Sequence, residues 1–210
     1  SDNAVYSLCE DREGGIWVGS YFGGVDYYPK SYTYFEKYYP KDGDNNLHGK
    51  RVREFCEDNK GILWIGTEDG GLNRFDPKTK TFSFFAPSFG FTNIHGLCMV
   101  GDKLWVGTFS KGLKIVDTNT GNILKTYQKN DSPRSLIDNS IFAICRTTTG
   151  DIYLGTMFGL LRYNEQTDDF DRIEELAGRF VYDIKEDSGG NLWLATYVNG
   201  AYCYNVSEKK

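Results

Sequence analysis

The sequence encodes an all-β chain, a β-propeller of about five blades with four antiparallel strands each, the last blade incomplete. Three observations predict this. A short aromatic–glycine–threonine unit returns every 40 to 48 residues, at Trp17, Trp64, Trp105, Tyr153 and Trp193, and a period of roughly 40–50 residues is that of a propeller blade. The 210 residues include 15 Tyr, 14 Phe and 24 Gly but only 5 Pro, a composition of short strands and tight turns. No long helical pattern interrupts the repeats.

Each copy reads as up to four strands. In the second, "RVREFCED" is strand one, "ILWIGT" strand two, "GLNRFD" strand three and "TKTFSFFAP" strand four. "EDNKG", "EDGG" and "DPKTK" between them supply the Asp, Gly and Pro of turns. Two residues after each aromatic stands Gly19, Gly66, Gly107, Gly155 or Ala195. Next comes Ser20, Thr67, Thr108, Thr156 or Thr196. Stacked sheets bury both faces, so the aromatic is expected to wedge between neighbouring blades, and the small residue to let backbones approach. The chain reads as one segment, 1–210, with blades at about 4–45, 46–87, 88–136, 137–176 and 177–210. Four full blades and three strands of a fifth leave open blade faces. The expectation is a piece of a larger propeller, seven-bladed for example, that when isolated self-associates through those faces or closes imperfectly into five blades.

Asp11, Asp58 and Asp187 stand six residues before their Trp. Their carboxylates are expected to fold back onto turn N–H groups; calcium would need more acidic ligands than these turns carry. Cys9, Cys56 and Cys145 stand eight before the aromatic, and Cys98 seven. One repeat position in the innermost strand suits small apolar fillers. Five cysteines without paired spacing argue against a disulfide framework or a zinc site. No metal or other cofactor is expected.

The net charge of −5 argues against a nucleic-acid partner, which needs a basic surface. No basic amphipathic stretch and no run of 18 apolar residues points to direct membrane contact.

"CEDNKGILWIGTEDGGLNRFDPKTKTFSFF" resembles the two-component regulator propeller repeat, through Asp58, Gly61, the run 63–67, Gly70, Gly71, Leu72, Arg74, Phe75, Asp76 and Pro77. "CEDREGGIWVGSYFGGVDYYP" and "EDSGGNLWLATYVNGAYCY" match nearly as well; the copy around Tyr153 is the weakest. The resemblance implies the periplasmic, extracytoplasmic sensor part of an inner-membrane hybrid histidine kinase, with the rest of that sensor chain as partner and oligosaccharides as ligands. It implies binding without catalysis in this segment, since the repeat itself is scaffold.

Propeller ligands meet loops at one end of the ring, where the strand 2–3 loops and the segments leading into strand one converge. Aromatic faces stack on sugar rings, and polar groups meet hydroxyls. The candidates in the 2–3 loops are Tyr21, Phe22, Glu68, Asp69, Phe109, Lys111, Phe158, Tyr197 and Asn199. The lead-in segments add Arg51, Arg53, His95 and Arg179; their cations, with Lys111, suit an acidic sugar or another anion. Two alternatives stand beside the sensor: a protein-interaction propeller, and a propeller lyase using His48 and His95, the two histidines of the chain.

Overall fold

The computed structural model describes residues 5–20, 23–30, 36–41, 43, 45–84 and 92–208. It is all-β, with antiparallel sheets of three or four strands joined in sequence order and one 3-10 turn, Glu174–Leu176. This is the architecture of a partial β-propeller. Among the described residues no helix is long and apolar enough to cross a membrane.

The chain forms two compact units, Ser1–Tyr38 and Tyr39–Lys210. The first holds one sheet, β1 (Val5–Glu10), β2 (Ile16–Ser20) and β3 (Val25–Tyr28). The fourth strand expected for this blade falls largely on residues 31–35, outside the described residues. Trp17 stays 43% exposed and packs on Tyr27 of its own sheet, ring centroids 4.3 Å apart.

The second unit holds four sheets. The first is β4 (Val52–Glu57), β5 (Leu63–Thr67), β6 (Gly71–Asp76) and β7 (Thr81–Phe84). Next come β8 (Ile94–Val100), β9 (Lys103–Thr108), β10 (Leu113–Asp117) and β11 (Ile123–Tyr127). The third is β12 (Ile141–Arg146), β13 (Ile152–Thr156), β14 (Gly159–Asn164) and β15 (Asp169–Ile173). The last has three strands, β16 (Val181–Glu186), β17 (Leu192–Thr196) and β18 (Gly200–Tyr204). First strands pack in series, β4 on β8, β8 on β12 and β12 on β16, so they form the inner wall.

The core lies in the layers between sheets. Trp64, Leu72, Ile94 and Leu104 fill the first layer, and Trp105, Leu113, Ile141 and Leu154 the second. Tyr153, Leu160, Val181 and Leu194 fill the third. Trp64, Trp105 and Tyr153 are the expected wedges, all buried. Trp193, at the same repeat position in the last sheet of the second unit, is 50% exposed, and within that unit no described sheet follows it. Wedging therefore depends on the next blade, not on the residue.

The glycine after the wedge has a steric cause. A Cβ on Gly66 would lie 2.6 Å from Ile94 Cγ2, one on Gly107 2.8 Å from Ile141 Cγ2, and one on Gly155 2.9 Å from Val181 Cγ1. In each case the obstacle is the first residue of the next sheet's inner strand. Ala195 occupies this position in the last sheet and is exposed. The threonine after it pins the 2–3 loop. Thr67 Oγ1 donates to the Gly71 carbonyl at 3.0 Å, Thr108 to Gly112 at 2.7 Å and Thr196 to Gly200 at 2.7 Å.

Three turns carry the expected Asp. Asp58 Oδ1 accepts the N–H of Lys60 at 2.9 Å and of Ile62 at 3.0 Å; Asp11 and Asp187 repeat the pattern. Each cysteine of the repeat sits directly across from the aromatic, as in Cys56 opposite Trp64 and Cys98 opposite Trp105. Burial pushes the Cys56 thiol up to about 11 and the Cys98 thiol up to about 12, which keeps them neutral fillers. Cys9 and Cys203 are exposed, and all five thiols are free.

Candidate ligand-binding site

Every inner strand of the second unit carries a β-bulge one residue from its start. The register slips between Val52 and Glu54, Ile94 and Gly96, Ile141 and Ala143, and Val181 and Asp183. The extra residues are Arg53, His95, Phe142 and Tyr182. A bulge bends the strand and re-aims the side chain it carries.

These four side chains meet. Arg53 Nε donates to His95 Nδ1 at 3.2 Å. The His95 ring lies 4.7 Å from Phe142, edge to face, and Phe142 lies 5.7 Å from Tyr182, stacked. The Arg53 guanidinium sits 4.2 Å over the Tyr182 ring. The circuit joins the inner strands of all four sheets of the second unit at the end where the 2–3 loops lie. Phe109 stands 6.0 Å from His95, Phe180 4.5 Å from Phe142, and Tyr197 5.5 Å from Phe180. Backbone bonds hold those loops in place, Phe109 N–H to the Asn93 carbonyl and Tyr197 N–H to the Phe180 carbonyl.

His95 is buried, and burial pushes its pKa below the ordinary imidazole value, with the Arg53 charge adding to the effect and Glu68 opposing it. Because guanidinium only donates, Nδ1 is the acceptor and the proton of neutral His95 sits on Nε2. His95 and Tyr182 thus fix the plane of Arg53, while its terminal amino groups have no protein partner among the described residues. Three sheets supply an aromatic wall, and the fourth supplies an oriented fork of donors. Such a surface can stack a planar or sugar ring and hold a carboxylate, a sulfate or a hydroxyl beside it.

Of the residues expected from the sequence, the fold brings together Arg53, His95, Phe109 and Tyr197, with Glu68 near His95. Tyr21 and Phe22 lie outside the described residues. Asp69 Oδ1 accepts the N–H groups of Lys50 and Arg51, at 2.9 and 3.1 Å, so these two candidates form a loop staple. Lys111 Nζ donates to Thr92 Oγ1 at 3.4 Å. Arg179 turns to Tyr202 of β18, 5.6 Å from its ring. Phe158 is 54% exposed and makes no ring contact with the cluster, and Asn199 is exposed on its loop. Phe142, Phe180 and Tyr182 were not among the candidates. Phe142 and Tyr182 share the repeat position of Arg53 and His95, which was the signal that would have found them. His48 stacks on Phe84 of β7, 4.6 Å away, on the outer strand of its sheet, so the two histidines serve different elements.

Comparison with known proteins agrees with this fold. The two component regulator propeller family model matches residues 1–22, 46–69 and 175–198. Those stretches hold the three turns in which Asp pairs with the following Trp. No curated protein is a significant sequence match. Among solved structures, the chain is similar to two from B. thetaiotaomicron described as extracellular domains of hybrid two component systems. One, BT4673, is 24% identical with a TM-score of 0.64, over 99% of this chain and 27% of that one. The other, BT3049, is 24% identical with a TM-score of 0.63, over 99% of this chain and 30% of that one. Virginiamycin B lyase from Staphylococcus aureus is 12% identical with a TM-score of 0.57, over 99% of this chain and 68% of that one. The chain spans less than a third of the length of the two B. thetaiotaomicron domains, and at these identities the likeness is one of fold. The chain is thus a partial β-propeller in which three stretches match the two component regulator propeller model.

Proposed function

We propose that the chain is a non-catalytic, ligand-sensing propeller segment of a bacterial two-component sensor. It acts outside the cytoplasm, in the periplasm, and binds an oligosaccharide carrying an acidic group. The observation that carries this reading is the circuit of Arg53, His95, Phe142 and Tyr182. One ligand seated there touches four sheets at once, so its binding free energy acts on their mutual packing. That supplies a differential contact through which a histidine kinase in the rest of the sensor chain can be biased. The repeats, and the B. thetaiotaomicron domains of the same fold, support the placement in such a sensor.

The test is calorimetric titration and thermal shift with uronate-containing and sulfated oligosaccharides beside neutral ones. Binding of an acidic member that falls at least tenfold in Arg53→Ala and in Tyr182→Ala supports the reading. No binding across the panel, or binding indifferent to both substitutions, overturns it. A second reading, a protein-interaction propeller, is favoured by the exposed Trp193 face, which offers the next blade or a second copy of the chain an unfilled wedge position. Concentration-dependent association that is lost in Trp193→Ser would support that reading.

A further inference from the structure

The opposite end of the second unit holds a groove of about 900 Å³ between the sheets of β8–β11 and β12–β15. Its size lies in the upper part of the roughly 300–1,000 Å³ range of small-molecule sites. It exists because one turn departs from the repeat. β8 and β9 are joined by a two-residue hairpin, Gly101 and Asp102, where the other sheets have a longer turn. The Asp that receives the indole N–H elsewhere is missing. Among the described residues nothing accepts a hydrogen bond from Trp105 Nε1, and the indole lines the groove.

Two more rings complete the floor. Tyr163 lies 4.9 Å from Trp105, edge to face, and Tyr127 6.5 Å, stacked. Both tyrosine hydroxyls donate to Asp168 Oδ1, at 2.5 and 2.8 Å, and Lys125 pairs with Asp168 Oδ2. On the facing turn Arg162 holds Asp151 through Nε at 3.1 Å and an amino group at 2.6 Å. These pairs lock the lining before any ligand arrives, which lowers the ordering cost of binding.

The lining selects a ligand class. Carboxylates slightly outnumber cations in the groove, which disfavours a polyanion. Among the described residues no group of three or more His, Cys, Asp and Glu side chains is placed to hold a metal ion. The groove is more polar than a site for an apolar ligand needs to be. Paired acids and bases beside aromatic rings fit a molecule whose groups both donate and accept and whose faces are apolar. We infer that this groove is a second binding site, for an uncharged oligosaccharide, separate from the mouth formed by Arg53 and His95.

The probes are uncharged trisaccharides of β-1,4-glucan, β-1,4-xylan, β-1,4-mannan and α-1,4-glucan, titrated by calorimetry and by NMR of the four indole N–H resonances. The Trp105 resonance is identified by its loss in Trp105→Phe. At least one probe should bind and shift that resonance. Arg162→Ala and Asp168→Asn, whose folding is checked by thermal melting, should each weaken binding at least tenfold, and Arg53→Ala should leave it within twofold. The inference is overturned if no probe moves the Trp105 resonance, if both groove variants bind as the parent does, or if binding is lost with Arg53→Ala alone. The last outcome would assign the ligand to the mouth; loss of mouth binding with this response intact would sink the earlier reading and spare this one.

Discussion

Asp58 and Trp64 are tied across a turn: the indole Nε1–H donates to Asp58 Oδ2 at 3.1 Å while Oδ1 of the same carboxylate holds the backbone of Lys60 and Ile62. Trp17 with Asp11 and Trp193 with Asp187 repeat the pair, each at 2.9 Å. One carboxylate therefore closes a turn and orients the wedge. Asp58→Ala should cost about 1–3 kcal/mol, the range for orphaned buried donors, since Trp64 is fully buried. Asp58→Asn should cost less, because Asn can still accept from the turn. Urea denaturation followed by tryptophan fluorescence measures both.

Close approach between sheets makes Gly107 sensitive to any side chain. An added Cβ would meet the Ile141 carbonyl at 3.0 Å as well as its side chain, and backbone cannot step aside cheaply. Gly107→Ala should destabilise by about 1–3 kcal/mol, the usual cost of overpacking. Ala195→Gly, at the same repeat position on an uncovered face, should cost no more than about 1 kcal/mol.

The Arg53–His95 pair predicts an imidazole that resists protonation. His95 should titrate below its ordinary value of 6.5, from burial first and the Arg53 charge second. Since the folded pKa is depressed, the stabilisation is present above pH 6.5 and declines as the pH falls toward the folded value. Arg53→Ala should move the midpoint upward without restoring it fully. The Cε1–H resonance of His95, followed from pH 8 to 4, reads this directly.

Asp187 is held down to about 2 by the Asn191 backbone N–H, then by the Trp193 indole and the Asn191 side chain. Its stabilisation is complete above the ordinary carboxylate value of 3.8 and is lost between there and pH 2. Asp187→Asn should flatten the stability profile in that window. Denaturation midpoints at half-unit pH steps test it.

The thiols should divide into two kinetic classes. Cys9 and Cys203 are exposed, whereas burial raises Cys56 and Cys98, and only a thiolate attacks. In the native protein an aromatic disulfide reagent at pH 8 should label the first pair quickly and leave Cys56 and Cys98 unmodified until unfolding.

Strands, turns and the wedge–glycine–threonine unit could be read from the residue order because each rests on contacts within one repeat. Thr67 reaches a glycine four residues away, and Asp58 a tryptophan six away. A local interaction leaves a fixed spacing, and repetition makes that spacing visible. The mouth was read only in part. Arg53 and His95 drew attention by charge, while Phe142, Phe180 and Tyr182 looked like ordinary core aromatics.

What joins them is the packing of four sheets and a bulge that turns one residue per sheet toward the same point. Contacts between residues 42 positions apart, such as Arg53 with His95, obey no local spacing. The groove beside Trp105 was hidden for the opposite reason, since it arises from a carboxylate that one shortened turn omits. Repetition along the chain thus set the blade and its seams. Which side chains face one another, and where a seam stays open, follows from sheets meeting in space, where burial and close approach choose among side chains that the repeat pattern treats alike.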